Sequence, residues 1–215
     1  MRITRIESQK KNSGRKNIYA DGEFIVGVSD ETLIRAGLRI GDEITGEKIK
    51  SLAGEEETAS AKRVALRFLA HRPRTAKEIR DKLREKEFGE MEIKKTIEIL
   101  ERAGLINDLE FSRTYIRDAL SVKPTGKALL KRKLLLLGVE KATVDETLQE
   151  AFADVDQQAS AMEAGRKFLR KSTATRKASA TAQLRTRLAS FLHRRGFDWA
   201  TIEPIMKVLI KEQDE

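Results

Sequence analysis

Two stretches of the chain contain several basic side chains and no acids. Between Glu163 and Asp198 no acidic residue occurs, and the cations there are Arg166, Lys167, Arg170, Lys171, Arg176, Lys177, Arg185, Arg187, Arg194 and Arg195. From Ala119 to Val139 acids are again absent, and the cations are Lys123, Lys127, Lys131, Arg132 and Lys133. Surfaces of one sign attract polyanions or acidic protein faces, and salt weakens that attraction. The pattern predicts a negatively charged partner, and a basic face that serves only solubility is the alternative.

The net charge of +9 is distributed unevenly along the 215 residues. Residues 1–57 have 10 basic against 11 acidic side chains, 58–107 have 13 against 8, 108–155 have 8 against 8, and 156–215 have 12 against 7. The excess therefore lies in the second and fourth segments. These four segments are also the predicted domains: an N-terminal module and three helical repeats.

Twelve cations are the candidate binding residues, each weighed against ordinary solvated surface. Four flank a predicted helix start in the first repeat, three lie on the predicted middle helix of the second, and five form the strongest cluster in the third. They are Arg67, Arg72, Arg74 and Lys77; Lys127, Lys131 and Arg132; and Lys167, Arg170, Arg185, Arg194 and Arg195.

Residues suited to catalysis or metal binding are scarce. The chain has no cysteine and only two isolated histidines, His71 and His193, which we expect at the surface. No GxxxxGK[ST] phosphate loop and no serine nucleophile elbow occurs. The paired acids Glu90 and Glu92, and residues 55–57, have the pattern of solvated positions. We therefore expect no enzyme activity, cofactor or metal.

The hydropathy pattern predicts a soluble, cytoplasmic protein. Apolar residues make up 40% of the chain and charged residues 36%, with a mean hydropathy of −0.49. The longest apolar run, Leu134 to Val139, is far shorter than the roughly 20 residues that span a bilayer. The first residues, Met1 to Ile6, lack the apolar core of a signal peptide.

From about residue 59 the same helical unit occurs three times. Leu69, Ile79, Leu83, Ile93 and Ile97 recur 51 residues later as Leu120, Leu130, Leu134, Val144 and Leu148, and an offset of 58 then gives Leu188, Leu192, Ile202 and Met206. Helix stops recur at Glu87-Phe88, Gly138-Val139 and Gly196-Phe197. A longer first loop, 172–180, absorbs the different offset. Such repeats predict a mainly α fold: an elongated array of three tandem three-helix units in helix-turn-helix style.

The first 57 residues predict a different module. Alternation at 3–8, 17–20 and 23–28, with turn signals at Asn12-Ser13-Gly14 and Asp21-Gly22, favours three short antiparallel strands or a hairpin. Ser29 is expected to cap a helix that ends at Gly37, and Thr45 a second one that reaches about Leu52. Residues 53–57 resemble a linker; alternatively, the acidic triplet extends the first repeat helix, whose N-terminus favours negative charge.

Several other side chains are assigned structural roles from their spacing. Phe111 and Tyr115 are four residues apart and are expected to pack in the core rather than stack on bases. Asn107-Asp108 is expected to cap the first helix of the second repeat. Trp199 is expected to wedge the last repeat together.

The string Gly104-Leu105-Ile106-Asn107-Asp108 followed by Phe111 and Tyr115 resembles the RecX family of bacterial regulators of the RecA recombinase. Residues 65–70, 72–75, Ile79 and Leu83 add to the resemblance, which covers about 59–155 well, the third repeat more loosely, and the opening through Phe24. The resemblance implies a protein that lies in the groove of the RecA filament on single-stranded DNA. It also implies reduced ATP hydrolysis and strand exchange, and filament disassembly. An array with capped ends needs no self-partner, so we expect a monomer, although the sequence leaves the oligomeric state open.

Two other functions remain open from the residues alone. A helix-turn-helix-like protein would bind DNA directly through a recognition helix, although the third helices near 90–100 and 144–153 are acidic or mixed. A structural scaffold would share the charge and lack any filament effect. Direct contact with DNA phosphate is compatible with filament binding.

Overall fold

The computed structural model describes residues 1–10, 12–173 and 181–214, and of 172, 173, 181, 182 and 212–214 only the backbone. Within those ranges the chain forms three strands and ten helices, so the predicted mainly α fold with a small N-terminal sheet is confirmed. Contacts divide the chain into two compact units, 1–74 with 78–106, and 75–77 with 107–215.

The first unit begins with an antiparallel sheet ordered β1 (Ile3–Gln9), β2 (Asn12–Ala20), β3 (Glu23–Ser29). Its apolar face packs Ile3, Ile18, Ala20, Val26 and Val28 against Ile44 and Leu52. The predicted caps are confirmed: the Ser29 side chain caps α1 (Asp30–Ala36), Gly37 ends it with φ 65°, and Thr45 caps α2.

The linker predicted at 53–57 is wrong, because α2 runs unbroken from Gly46 to Leu69. The alternative, in which this segment is helical, is right, although Glu56 lies inside the helix and not at its N-terminus. The helix continues here because Glu56 is buried, 5% exposed, and satisfied by partners from the sheet and from α1. It is therefore not in the solvated surroundings that the pattern suggested.

The remaining helices of the first unit are α3 (Ala76–Glu85) and α4 (Glu90–Arg102). Ile79, Leu83, Ile93 and Ile97 are buried as the spacing predicts, whereas Leu66 is exposed. The second unit contains α5 (Asp108–Val122), α6 (Lys127–Leu136), α7 (Lys141–Ala151), α8 (Gln157–Thr173), α9 (Thr181–Arg194) and α10 (Trp199–Asp214). Asn107 caps α5 as predicted. The loop predicted at 172–180 begins inside α8, and residues 174–180 lie outside the described part.

The three predicted helix stops share one backbone geometry. Glu87, Gly138 and Gly196 have φ of 62°, 86° and 89°. The next residue donates its N–H to a carbonyl five positions back: Phe88 to Leu83, Val139 to Leu134, and Phe197 to Leu192. These are left-handed helix ends with a shared hydrogen-bond pattern, which three copies of one unit would have, and Gly104 at the end of α4 has it as well.

Candidate polyanion-binding site

A groove in the second unit brings cations from three segments together. It encloses about 330 Å³ and is lined by Lys123, Pro124, Ala164, Lys167, Phe168, Lys171, Arg187, Phe191 and Arg195. We call this the basic groove. Five of the nine lining residues are cations and none is acidic, so its walls present one sign of charge.

Helical spacing places most of these side chains. On α8, Ala164, Lys167, Phe168 and Lys171 follow the i, i+3, i+4, i+7 pattern of one helix face. On α9, Arg187 and Phe191 are one turn apart, and Arg195 follows one turn later just past the helix end. Two facing helix stripes therefore form opposite walls.

The third segment, Lys123-Pro124, reaches the groove through a close backbone contact. The Gly126 N–H donates to the Arg195 carbonyl at 2.9 Å, and the Ala128 N–H donates to the Gly196 carbonyl at 3.1 Å. A Cβ at Gly126 would overlap the backbone of Gly196, and one at Gly196 would overlap Leu129. Two glycines are needed here because only they let the start of α6 approach the turn after α9 so closely.

Two stacked phenylalanines lie at the centre of the groove. The Phe168 and Phe191 ring centroids are 4.7 Å apart with an interplanar angle of 25°. The Arg187 guanidinium lies 6.0 Å from the Phe168 centroid, and that of Arg195 lies 5.2 Å from Phe191. Both rings also pack against the buried core of α8, α9 and α10. Cation–π attraction thus orients two guanidiniums on a rigid aromatic base.

The groove cations differ in whether they already have a hydrogen-bond or ion-pair partner within the protein. Arg195 donates to the Pro124 carbonyl at 3.3 Å, and Lys167 pairs with Glu163 one turn earlier on α8. Within the described residues, Lys123 and Arg187 have no carboxylate partner. Their charge is therefore available to a ligand.

The structure brings two of the five predicted third-repeat residues into the groove, Lys167 and Arg195. Arg170, Arg185 and Arg194 are exposed in the same unit and do not line it. The sequence reasoning did not select Lys123, Lys171, Arg187, Phe168 or Phe191. The four-residue spacing of Arg187, Phe191 and Arg195 was a signal that could have identified the α9 wall.

The second-repeat candidates lie on α6 outside the groove. Lys131 pairs with Asp145. Their hydrogen bond is the largest cause of the lowered pKa of the Asp145 carboxyl. Lys127 is half-buried and Arg132 is exposed. Arg132 is thus the most accessible of the three.

The first-repeat candidates are mostly engaged in local structure. Arg72 and Arg74 both bond Glu78, at 2.6 and 3.1 Å, and the Arg74 guanidinium lies 3.9 Å from the Phe68 ring centroid. Only 15% of the Arg74 side chain is exposed, so it contributes to packing. Arg67 is exposed on α2. Lys77, which belongs to the second unit, donates to the Leu136 carbonyl at 3.4 Å.

The predicted role of Trp199 is wrong. It is 61% exposed at the start of α10, and its ring stacks on that of exposed His193 at 6.1 Å. The wedge position is occupied instead by buried Phe197 two residues earlier, 1% exposed. Phe111 and Tyr115 do pack against the α5–α7 core as predicted, with centroids 6.0 Å apart.

In the part of the chain that the structure describes, no group of three or more His, Cys, Asp or Glu side chains is placed to hold a metal ion. None of the helices in that part is long and apolar enough to cross a membrane.

Comparison with known proteins places the chain in a family. Residues 1–45 match the "Regulatory protein RecX N-terminal domain", and residues 61–100 match "RecX, first three-helix domain". The chain is 30% identical to the regulatory protein RecX of Clostridium acetobutylicum, over 99% of this chain and 98% of that one. It is 37% identical to RecX of Clostridium beijerinckii over 68% of each. A "Crystal structure of regulatory protein RecX" superposes with a TM-score of 0.74 at 25% identity, covering 100% of this chain and 99% of the other.

The fold and the groove define a protein built from three-helix units, with a sheet module at its N-terminus and a groove lined by basic side chains. The chain belongs to the RecX family of regulatory proteins, and the resemblance noted from its sequence is confirmed.

Proposed function

We propose that this chain regulates the RecA recombinase by binding the RecA filament on single-stranded DNA, lowering its ATP hydrolysis and strand exchange and favouring disassembly. The basic groove is the observation that supports this proposal best. Five cations and no acid line it, and such a wall suits a polyanionic filament. Membership in a family of RecX regulatory proteins supports the regulatory role.

In this proposal the chain acts by binding to the filament and not by catalysing a reaction. A polymer offers the same surface on successive protomers, so weak contacts made by several units of one chain add through effective concentration. The exposed cations Arg132, Arg170 and Arg194, with Arg67 of the first unit, are further candidates for such contacts. A cytoplasmic monomer is the form in which we expect the protein to act.

The test is a titration of the full chain into a RecA ATPase reaction on single-stranded DNA. We expect inhibition at fewer than one chain per RecA protomer, because one chain that spans or destabilises a filament segment affects several protomers. Binding to duplex DNA with no effect on RecA would instead support the helix-turn-helix alternative. An unchanged ATPase rate together with unchanged filament lengths would overturn the proposal.

A further inference from the structure

A second concave surface lies within the first unit, between α2 and α4 and bordered by α1. It encloses about 730 Å³, more than twice the volume of the basic groove. We call it the α2–α4 cleft. Its wall on α2 extends from Lys50 to Leu66, a rise of about 24 Å, and its wall on α4 extends from Met91 to Arg102. Two helices therefore form a trough of about four helical turns in length.

Three large apolar side chains in this cleft are exposed: Leu66, Met91 and Ile99. Exposed apolar side chains that are grouped within a rim of charge are typical of a protein-binding surface, because a partner that covers them removes apolar area from water. Gly54 on the α2 wall leaves room for such a partner, since a Cβ built there meets no atom within 4 Å.

The acids that border the cleft already have compensating charge. They are Glu31, Glu55, Glu92 and Glu98. Glu55 pairs with Arg35 at 3.3 Å. Glu98 pairs with Arg102 at 3.9 Å. The other two acids lie in the first turns of α1 and α4, where the helix dipole favours negative charge.

Three lysines of the cleft lack such compensation. Within the described residues, Lys50, Lys62 and Lys95 have no carboxylate partner. Arg63, the remaining cation, donates to Glu56 at 3.0 Å. Lys62 lies on α2 and Lys95 on α4, so unpaired positive charge borders both walls. The cleft is therefore complementary to an apolar stripe flanked by carboxylates.

We propose that the α2–α4 cleft docks an amphipathic helix of a partner protein, whose apolar stripe covers the three exposed apolar side chains and whose flanking carboxylates pair with the three lysines. A helix that lays its apolar face into a groove is a recurrent mode of peptide recognition. The cleft lies in the first unit and the docking needs no nucleic acid, so the inference goes beyond the proposed function.

The probe is a labelled, stapled helical peptide, titrated with the full chain without RecA and followed by fluorescence anisotropy. It has about 16 residues, the length of the α2 wall, with Leu at i, i+3, i+4 and i+7 positions and Glu on both flanks. A second peptide has the same residues with the Leu stripe broken up. Since the basic groove attracts both peptides equally by charge, we expect the second to bind at least about tenfold more weakly through lost apolar contact. Equal affinities would overturn the inference.

Neighbouring lysines on α4 provide a matched pair of charge variants. Lys95 lines the cleft, whereas Lys94, also exposed, does not. Lys95→Glu is expected to weaken binding of the striped peptide by about fivefold or more, because attraction is replaced by repulsion. Lys94→Glu makes the same charge change outside the cleft and is expected to stay within about twofold of wild type. A Lys94 variant that loses as much affinity as the Lys95 variant would refute docking in the cleft.

Two exposed apolar residues test the apolar contact. Met91→Ser removes the most exposed apolar side chain of the cleft, 64% exposed, and Val122→Ser, 79% exposed in the second unit, is the control. We expect a loss of about tenfold in peptide affinity for the first variant and twofold or less for the second. Both should unfold at the wild-type urea midpoint, since neither side chain is buried. Similar affinities of the two variants would contradict the proposal.

A second copy of this chain is the competing occupant of the cleft. Sedimentation velocity of the wild-type chain and of Met91→Ser distinguishes the two. We expect monomers of both. A wild-type dimer that Met91→Ser dissociates would show that the cleft is a self-association surface and would overturn the inference.

Discussion

Charged side chains serve different purposes in the two units. In the first unit, Glu56 accepts hydrogen bonds from the Ser29 N–H at 2.7 Å, the Thr32 hydroxyl at 2.9 Å, Arg15 at 2.7 Å and Arg63 at 3.0 Å. We call these five residues the Glu56 cluster. The cluster connects the sheet, the cap of α1 and the long helix α2. Both of its arginines pair with the Glu56 carboxylate.

In the second unit the basic groove concentrates positive charge, part of which the fold leaves without a carboxylate partner. Its lining contains five cations and no acid, and Lys123 and Arg187 have no carboxylate partner within the described residues. Like charges side by side cost stability, so this arrangement has no evident benefit to the folded chain by itself. The comparison teaches that the pairing of charges, and not their number, distinguishes a structural cluster from a candidate binding surface.

The largest expected effect comes from breaking the Glu56 cluster. Glu56→Ala leaves buried donors and two guanidiniums without their acceptor, and we expect a loss of about 3–5 kcal/mol in the free energy of unfolding. Urea denaturation of the full chain measures it. Glu57→Ala, at the next position and exposed, is the control, and equal losses in both variants would show that the cluster is not structural.

Closing the backbone approach beside the groove should have the next largest effect. Gly126→Ala places a Cβ against the backbone of Gly196, and we expect a loss of about 1–3 kcal/mol from overpacking. Gly54→Ala is the matched control, because a Cβ inside α2 meets open space. There we expect a gain of about 0.5–1 kcal/mol from helix propensity. The urea denaturation midpoints of both variants measure these changes. A Gly126 variant as stable as wild type would contradict the close backbone contact between Gly126 and Gly196.

Acid should weaken the first unit through the same cluster. Burial raises the pKa of the Glu56 carboxyl, but the hydrogen bonds from Ser29, Thr32 and Arg63 outweigh it, so its pKa lies below the ordinary 4.5. A carboxyl with a lowered folded-state pKa stabilises the fold above its unfolded pKa. That contribution is lost as pH falls through the folded value.

The measurement compares wild type and Glu56→Gln by urea denaturation between pH 7 and pH 3. We expect the wild-type advantage to be constant above about pH 5 and to shrink below pH 4.5, because protonation then makes the two side chains alike. An advantage that does not change with pH would show that folding leaves the pKa of the Glu56 carboxyl unchanged.

Removal of the exposed indole should have the smallest effect on stability. Trp199→Ala is expected to change the free energy of unfolding by less than about 1 kcal/mol, because Trp199 is 61% exposed and its ring stacks on exposed His193. Exposed tryptophans often dominate partner contacts, so we expect RecA inhibition to weaken by roughly tenfold. Phe197→Ala, at a fully buried ring, is the contrast and is expected to cost about 3–5 kcal/mol. A large stability loss at Trp199 would restore the wedge role.

Local patterns were enough to predict most of the fold. The caps at Ser29, Thr45 and Asn107 and the left-handed turns at 87, 138 and 196 depend on residues only a few positions away, and the periodic apolar residues depend on helix geometry. The linker prediction failed because the partners of Glu56 come from Arg15, Ser29 and Thr32, up to 41 residues earlier. Without them, a glycine followed by three acids has the pattern of a solvated segment.

The candidate site was harder to predict for the same reason. Charge composition identified the basic third repeat, but the groove requires the start of α6 to meet the turn after α9, about 70 residues away. Sequence also does not distinguish Arg185 from Arg187, or Arg74, held by Glu78 and Phe68, from exposed Arg67. Trp199 was misassigned because its neighbour Phe197 fills the buried position.

The most direct test of the account is inhibition of the RecA ATPase on single-stranded DNA by the Arg187→Glu and Arg185→Glu chains. If uncompensated groove charge carries the binding, the Arg187 variant should need about tenfold more protein for half-inhibition, and the Arg185 variant less than about threefold more. Both chains should unfold at the wild-type urea midpoint. Inhibition by the Arg187 variant that matches wild type would contradict the account.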